Sequence, residues 1–391
     1  MDKFTFYSAK IFEDLTKIMP NDDHFDFFFI GPHEKNDHTW LSDNPPQNAK
    51  QIWYFGHYVR KLFSYIKKEK PDIVHFSFEW RTFGPVYATL KFPFLLFLLR
   101  FGTNTKIIFN PHAIAINKYE KDWRVLEYIL PKKYPKFIFI LFVKVLMKTL
   151  CTLSHKVIAD TPASKLGLKE FYGIPEEKIT VNEFIIPPND TIINNEKKEK
   201  FSKQFIQKNI ILCFGVISPR KSLDSIIRAF SKVAKDIPDH ILVIAGLTTD
   251  DNKIYENMLR ELTITLEVKD RVFFTGFVDD EESEILFDMA EMALYIYRPH
   301  SETSGTLFPA IYHNTPCIVT ESILFYHIFS ENDVLFTKYN DENQLSKQIL
   351  KLATNSELKT ELKHNMKKLS DKILEQSTAN EYFKTYQGFF E

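Results

Sequence analysis

The sequence predicts an α/β protein of two domains, each built on a parallel sheet, and three observations carry that prediction. Buried-strand patterns alternate with helical ones from Ile210 to Tyr297, which requires crossovers between parallel strands. A polar break, Pro187-Pro188-Asn189-Asp190 followed by a lysine-rich run to Lys208, separates that series from a looser one before it. A length of 391 residues, 44% apolar and 26% charged, is enough to bury two ordinary cores. The domains expected are 1–190 and 191–391.

In the first half, Phe25 to Ile30 predicts a buried strand, His33 to Lys50 a loop and Gln51 to Lys68 a helix. Lys70-Pro71-Asp72 then leads into a buried parallel strand at Ile73, Val74, His75 and Phe76. Leu90 to Phe101 is an apolar helix too short to span a bilayer. Thr105 to Asn110 is the next strand, ending in Pro111-His112. Pro131 to Lys156 is the most apolar segment of this half, interrupted by Lys136, Lys144 and Lys148. Lys144 and Lys148 are one turn apart and share a face with Lys133 and Lys136, while Phe137 to Val143 supplies the greasy side. Such a helix fits an anionic membrane surface, and equally a core helix with a solvated lysine stripe.

In the second half, the strands Ile210 to Phe214, Ile241 to Ala245 and Val272 to Thr275 end in Gly215, Gly246 and Gly276, with helices at Leu223 to Lys235 and Tyr255 to Leu266. Met292 to Tyr297 is a strand, Arg298 to Ser304 a polar loop, and a short helix opens near Gly305 before the strand Cys317 to Thr320. Ligands of an open parallel sheet sit beyond the carboxyl ends of its strands. Three loops fall there: Gly215 to Lys221, the turn Gly276-Phe277-Val278-Asp279-Asp280, and Arg298 to Gly305. Ser304-Gly305-Thr306 at a helix start offers backbone N–H groups and a positive dipole end to an anion. Taken singly, Ser304 reads as a helix cap and Arg220 or Lys221 as a surface charge. Taken together, Arg220, Lys221 and the 304–306 amides suit a diphosphate, and the Glu302 carboxylate suits the hydroxyls of a sugar.

Fifty basic against fifty-one acidic residues give a formal charge of −1, so no whole-chain field draws the protein to nucleic acid. Cys151, Cys213 and Cys317 lie far apart in apolar runs, which fits reduced core thiols in a cytoplasmic protein and neither a zinc site nor a disulfide frame. The first fifteen residues carry mixed charges without the continuous apolar stretch of a secretory signal.

CFGVISPRKSLDSIIRAF, HILVIAG, VFFTGFVDDEESEILF and the Ser-Gly loop, in that order and spacing, resemble the retaining glycosyltransferases of family 4, which have the GT-B architecture. KPDIVHFSF, TKIIFNPHAIA and HKVIADTPASKLGLKEFYGIPEEKITV extend the resemblance into the first half, so that it covers most of the chain beyond about Lys70. It implies two Rossmann-like domains facing across a cleft, with the last helix packing back on the N-terminal one. The same resemblance implies a phosphate-binding role for Lys221, with Arg220 as substitute because Val216 stands where the family often has arginine. Donor contacts are implied for Gly215, Phe277, Val278, Arg298, Ser304, Gly305 and Thr306, and a donor-facing role for His112. The family's Glu-x7-Glu pair is incomplete, since Glu302 stands for the first acid while the second falls on Ala310; hydroxyls and amides replace it. The N-terminal Gly-Gly loop is also missing.

The reaction implied is transfer of a sugar from a nucleotide-sugar to a glycan or lipid-linked sugar acceptor with retention of configuration, in cell-surface polysaccharide synthesis. Stabilising charge on the departing diphosphate and placing the acceptor hydroxyl suffices for this chemistry. The chain has no Asp-x-Asp triplet, so neither a metal nor any other cofactor is expected. The rival readings are an inactive homologue that binds a sugar-nucleotide or partner, and a nucleotide-sugar epimerase. A cytoplasmic protein, peripheral on the inner face of the plasma membrane, fits the lysine-striped helix.

Overall fold

The structure, a computed structural model, describes residues 29–32, 49–53, 57–78, 86–112, 136–183, 198–199, 203–205, 208–298, 304–375 and 378–390, with single positions elsewhere. The chain forms two compact units, one of Met1–Ile186 with Ser377–Glu391, the other of Pro187–Pro299 with Ser304–Gln376.

In the first unit, β1 (Phe29–Pro32) and β2 (Ala49–Trp53) form a parallel pair. A second parallel sheet runs in chain order through β3 (Ile73–Phe78), β4 (Lys106–Pro111), β5 (Lys156–Ala159) and β6 (Ile179–Val181). The helix expected over Gln51 to Lys68 is shorter: residues 51–53 belong to β2, and α1 spans Val59–Glu69. Ile52 and Trp53 fit a strand as readily as a helix, and short apolar runs do not distinguish the two. The part of the Phe25 to Ile30 strand before Phe29 lies outside the described residues, as do positions 33–48.

α2 (Phe92–Gly102) carries proline at its first turn, where the missing N–H costs nothing. It buries Phe92, Leu95, Leu96 and Leu99 against the sheet. α3 (Lys136–Leu153) is the lysine-striped helix, which ends before the apolar run does, while positions 131–135 lie outside the described residues. Val143, Leu146, Met147, Leu150 and Cys151 form its buried stripe at i, i+3, i+4, i+7 and i+8. Phe137, Ile138, Leu141, Phe142 and Val145 are between 39% and 69% exposed. Val143 therefore belongs to the core, and most of the run before it does not. Lys144 is half-buried over the Phe171 ring at 4.9 Å, whereas Lys148 is exposed. Lys133 and the side chain of Lys136 lie outside the described residues. Among the described residues no helix is long and apolar enough to cross a membrane.

The second unit holds a six-stranded parallel sheet in the order β12-β11-β10-β7-β8-β9. The chain starts in the middle with β7 (Asn209–Phe214), adds β8 (His240–Ala245) and β9 (Val272–Gly276) on one side, then returns to β7. On the other side it adds β10 (Ala290–Tyr295), β11 (Cys317–Thr320) and β12 (Leu335–Thr337). This reversal makes the carboxyl ends of β7 and β10 a topological switch point, where the following loops diverge and leave a crevice.

α4 (Leu223–Val233) buries Leu223, Ile226, Ile227 and Phe230 on the sheet, each worth roughly 1.5–3 kcal/mol of transfer free energy. It lies against α5 (Lys253–Thr265) and α8 (Glu342–Thr354). α6 (Asp280–Met289) opens on a capping box, with Asp279 accepting from the Glu282 amide and Glu282 from the Asp279 amide. α7 (Leu307–Tyr312) packs on α9 (Ser356–Leu374), and the last helix, α10 (Thr378–Gln387), belongs to the first unit. All three cysteines are buried free thiols.

Candidate active site

The switch point gathers the loop after β7 and the loop after β10. β7 and β8 stay paired past their ends, with the Ile217 amide donating to the Leu247 carbonyl at 2.9 Å. Such close approach needs glycine in both strands: a Cβ on Gly246 would lie 2.2 Å from the Gly215 carbonyl oxygen. Gly215 itself has φ +104°, a left-handed conformation that side chains resist. A Cβ there would stand 2.2 Å from Lys221 Nζ and 2.8 Å from Thr306 Cγ2. Lys221 and Thr306 thus both close on Gly215, although Thr306 is 91 residues from Gly215 in the chain.

Pro219–Lys221 forms one 3-10 turn, closed by Ser222 in the left-handed region at φ 47°. The turn sends Lys221 inward, where it is 6% exposed and donates to the Phe214 carbonyl at 2.6 Å. Burial, reinforced by the Arg220 guanidinium and opposed by the Cys213 thiol, lowers its ammonium from the ordinary lysine range to about 7. Arg220 and Lys221 each stand 5.8 Å from the Tyr297 ring centroid. The Arg298 amide donates to the Arg220 carbonyl at 2.8 Å and ties the two loops together.

Across from Lys221, three hydroxyls close a ring: Tyr297 to Ser304 at 3.0 Å, Tyr297 to Thr306 at 3.1 Å, and Ser304 to Thr306 at 2.9 Å. The Tyr295 hydroxyl anchors the turn from below by donating to the Thr306 carbonyl at 2.8 Å. The helix expected near Gly305 begins at Leu307, after a turn at 305–306. Ser304 is consequently not its cap, and Thr306, which holds the cap position, makes no side-chain cap bond. Both hydroxyls are committed to Tyr297 instead. Tyr297 is the residue that sequence reasoning overlooked; its one available signal was a tyrosine at the end of a buried strand, facing a loop of hydroxyls.

Phe277 and Val278 follow β9, two strands from β7, so β8 separates them from Lys221 by roughly 5 Å per strand. Phe277 is 53% exposed, whereas the Val278 side chain is buried. Glu302 lies outside the described residues. Among the described residues no group of three or more His, Cys, Asp or Glu side chains could hold a metal ion.

His112 lies in the first unit, just past β4, its amide still in the ladder through a 3.0 Å bond to the Phe78 carbonyl. Its Nδ1 is 2.8 Å from Asp160 Oδ2 and its Nε2 is 2.6 Å from Ser77 Oγ. Neither Ser77, inside an alternating strand, nor Asp160, after the apolar strand VIA, stood out in the sequence. A polar residue at the carboxyl end of a parallel strand was the available signal.

The family described as Glycosyl transferases group 1 matches residues 194–369, and that described as Glycosyltransferase Family 4 matches residues 26–183. The O-antigen chain mannosyltransferase RfbU of Salmonella typhimurium is 25% identical over 290 residues, covering 73% of this chain and 75% of its own. A glycosyltransferase of Rickettsia africae superposes with TM-score 0.72 at 16% identity, over 99% of this chain and 94% of its own. Anabaena HepE in complex with UDP-glucose superposes with TM-score 0.67 at 13% identity, over 87% and 85%. With a parallel sheet in each unit, a switch point in the second, and a family match to each half, the chain has the fold of the GT-B glycosyltransferases, and each half is similar to one of these two glycosyltransferase families.

Proposed function

We propose that this protein is a retaining hexosyltransferase that takes its sugar from a nucleoside diphosphate and passes it to a glycan or lipid-linked sugar, in cell-surface polysaccharide synthesis. The observation that carries this reading is the buried Lys221 at the β7/β10 switch point, facing the Tyr297, Ser304 and Thr306 hydroxyls. Among the described residues Lys221 Nζ donates to one carbonyl; a buried ammonium so placed is poised for an anion, and the ring supplies hydroxyl donors and acceptors that need no counter-charge. As the bond to the anomeric carbon breaks, charge grows on the departing diphosphate and Lys221 and Arg220 stabilise it. The acceptor oxygen arrives on the face the diphosphate leaves, so configuration is kept and no covalent intermediate is required. Glu302 orients the donor sugar.

The names of the similar proteins support the coarser parts of this reading: a mannosyltransferase of O-antigen chains, and structures that contain UDP and UDP-glucose. The exposed apolar residues of α2 and α3, with Lys148 beside them, support a peripheral contact with an anionic membrane. Calorimetric titration with UDP, GDP and ADP and their hexose conjugates tests the donor, and the anomeric proton of the product tests retention. Binding of a nucleoside diphosphate that survives Lys221→Met unchanged would refute the placement, and an inverted product would refute the stereochemistry.

A further inference from the structure

At the amino edge of the first sheet, where α2 and α3 end and β4, β5 and β6 begin, four basic side chains come together: Arg100, Lys106, His155 and Lys178. Burial, and after it the charges of Arg100, Lys106 and Lys178, lower the His155 ring to about 4. Among the described residues none of the four makes an ion pair. Of the acids just before Lys178, Glu176 is taken by Lys165 and Lys169, and Glu177 is exposed.

Cations are favoured at helix C-termini, where they satisfy the last carbonyls. Lys178 does so, donating to the Thr152 carbonyl of α3 at 2.8 Å. Arg100, in the last turn of α2, does not: it makes no hydrogen bond among the described residues, and its Nη1 is shut off from solvent. A guanidinium nitrogen so placed costs free energy that an anion would recover. His155 is oriented for the same ligand. Its Nδ1 accepts the Ile107 amide at 2.9 Å. A backbone amide only donates, so Nδ1 carries no proton and the ring holds its proton on Nε2. That N–H, on the far side of the ring, has no acceptor among the described residues.

We propose that Arg100, His155 and Lys178 form a site for a phosphate group, with Lys106 at its rim, and that the phosphate is the headgroup of a membrane lipid. Arg100 shares its helix face with Phe97 and Phe101, whose rings pair at 4.8 Å and are 49% and 70% exposed. Free phosphate would leave those rings in water, whereas a lipid held by its phosphate covers them with its chains. The lipid source rests on the peripheral-membrane reading above; the phosphate site does not.

The test compares the wild type with Arg100→Gln and with Lys148→Gln, which removes an exposed charge of α3. In chloride, Arg100→Gln should melt no lower than the wild type, because it relieves repulsion among the cations; a merely structural arginine would lower the melting point. Inorganic phosphate at equal ionic strength should raise the melting point of the wild type and of Lys148→Gln more than that of Arg100→Gln. Phosphate bound at Lys221 would protect all three alike, and that result overturns the site. By calorimetry, dihexanoyl phosphatidylglycerol below its micelle concentration should bind the wild type about tenfold or more tighter than glycerol 3-phosphate does. Arg100→Gln should weaken the lipid about tenfold or more, and Lys148→Gln less than about threefold. Equal affinity for the two ligands overturns the lipid source. Vesicle binding that survives Arg100→Gln unchanged overturns the site and leaves the membrane reading standing. If the wild type ignores anionic vesicles, the membrane reading and the lipid source fall together, and the melting points alone decide the phosphate site.

Discussion

The two units assemble polar groups at the ends of parallel strands in opposite ways. In the second, backbone topology does the gathering: the sheet reverses direction between β7 and β10, and the loops leaving those neighbouring strands bring Lys221 to Tyr297, Ser304 and Thr306. In the first, the described strands β3 to β6 run in chain order without such a reversal, and a relay of side chains, from Tyr382 through Asn110 and Asp160 to His112, does the gathering. One link of that relay, Tyr382 to Asn110, joins residues 272 apart in sequence. A site made by topology depends on glycine and on close backbone approach. A relay depends on the donor and acceptor sense of each link.

The largest effect should come from Gly215→Ala, which attacks topology directly. Its methyl would meet Lys221 Nζ and Thr306 Cγ2 on a backbone at φ +104°. Nucleotide binding should vanish and stability fall by about 1–3 kcal/mol, read by calorimetry and denaturant titration. A variant that still binds would show that the crevice opens further than close packing implies.

Lys221→Met comes next and separates binding from folding. We expect transfer to fall by about a hundredfold or more with no loss of stability. Lys221 is lowered to about 7, so between pH 7 and the ordinary lysine range the unfolded chain holds a proton that the folded one does not. This contribution makes the wild type gain stability as pH rises through that window, and the gain should be absent in Lys221→Met. Diphosphate binding needs the ammonium, so affinity should weaken as pH rises above 7. A pH-independent affinity would place the anion elsewhere.

Ser304→Ala and Tyr297→Phe form a matched pair of smaller changes. Each removes two hydrogen bonds of the hydroxyl ring and leaves the third, so their costs should be alike, about 1 kcal/mol each in stability or donor affinity. Were Ser304 a helix cap, only its variant would destabilise.

The difference between the units also explains what could be read from sequence. The strand ends Gly215, Gly246 and Gly276, the turn bearing Arg220 and Lys221, and the Ser-Gly-Thr loop are each contiguous, and their order implies a parallel sheet. Tyr297 was missed because a tyrosine closing a buried strand looks like core until its hydroxyl is seen to have partners. Ser77 and Asp160 were missed for a deeper reason. A hydrogen bond between distant residues leaves no local spacing to detect. The same limit applies to α3, whose apolar periodicity did not reveal that its first turns are exposed.

The smallest effect expected is at α2 and α3. The protein should sediment weakly with anionic vesicles at low salt and be released as salt rises, since each lysine near such a surface contributes roughly 1 kcal/mol. Leu141→Ser and Lys148→Glu should each reduce binding without altering nucleotide affinity in the second unit. Vesicle binding indifferent to both changes would assign that face another role.

The return of α10 to the first unit has a consequence for synthesis on the ribosome. Tyr382 and Tyr386, whose hydroxyls reach Asn110 and His75, are made long after the strands they pack on. Roughly 200 residues separate Ile186 from these tyrosines, which at about 5–20 residues per second takes on the order of 10–40 s. Throughout that interval Asn110 and His75 are without these tyrosines, and the first unit waits for the second to be made before it is complete. A nascent chain arrested short of Thr378 should therefore expose β3 and β4 to proteases that the released protein resists.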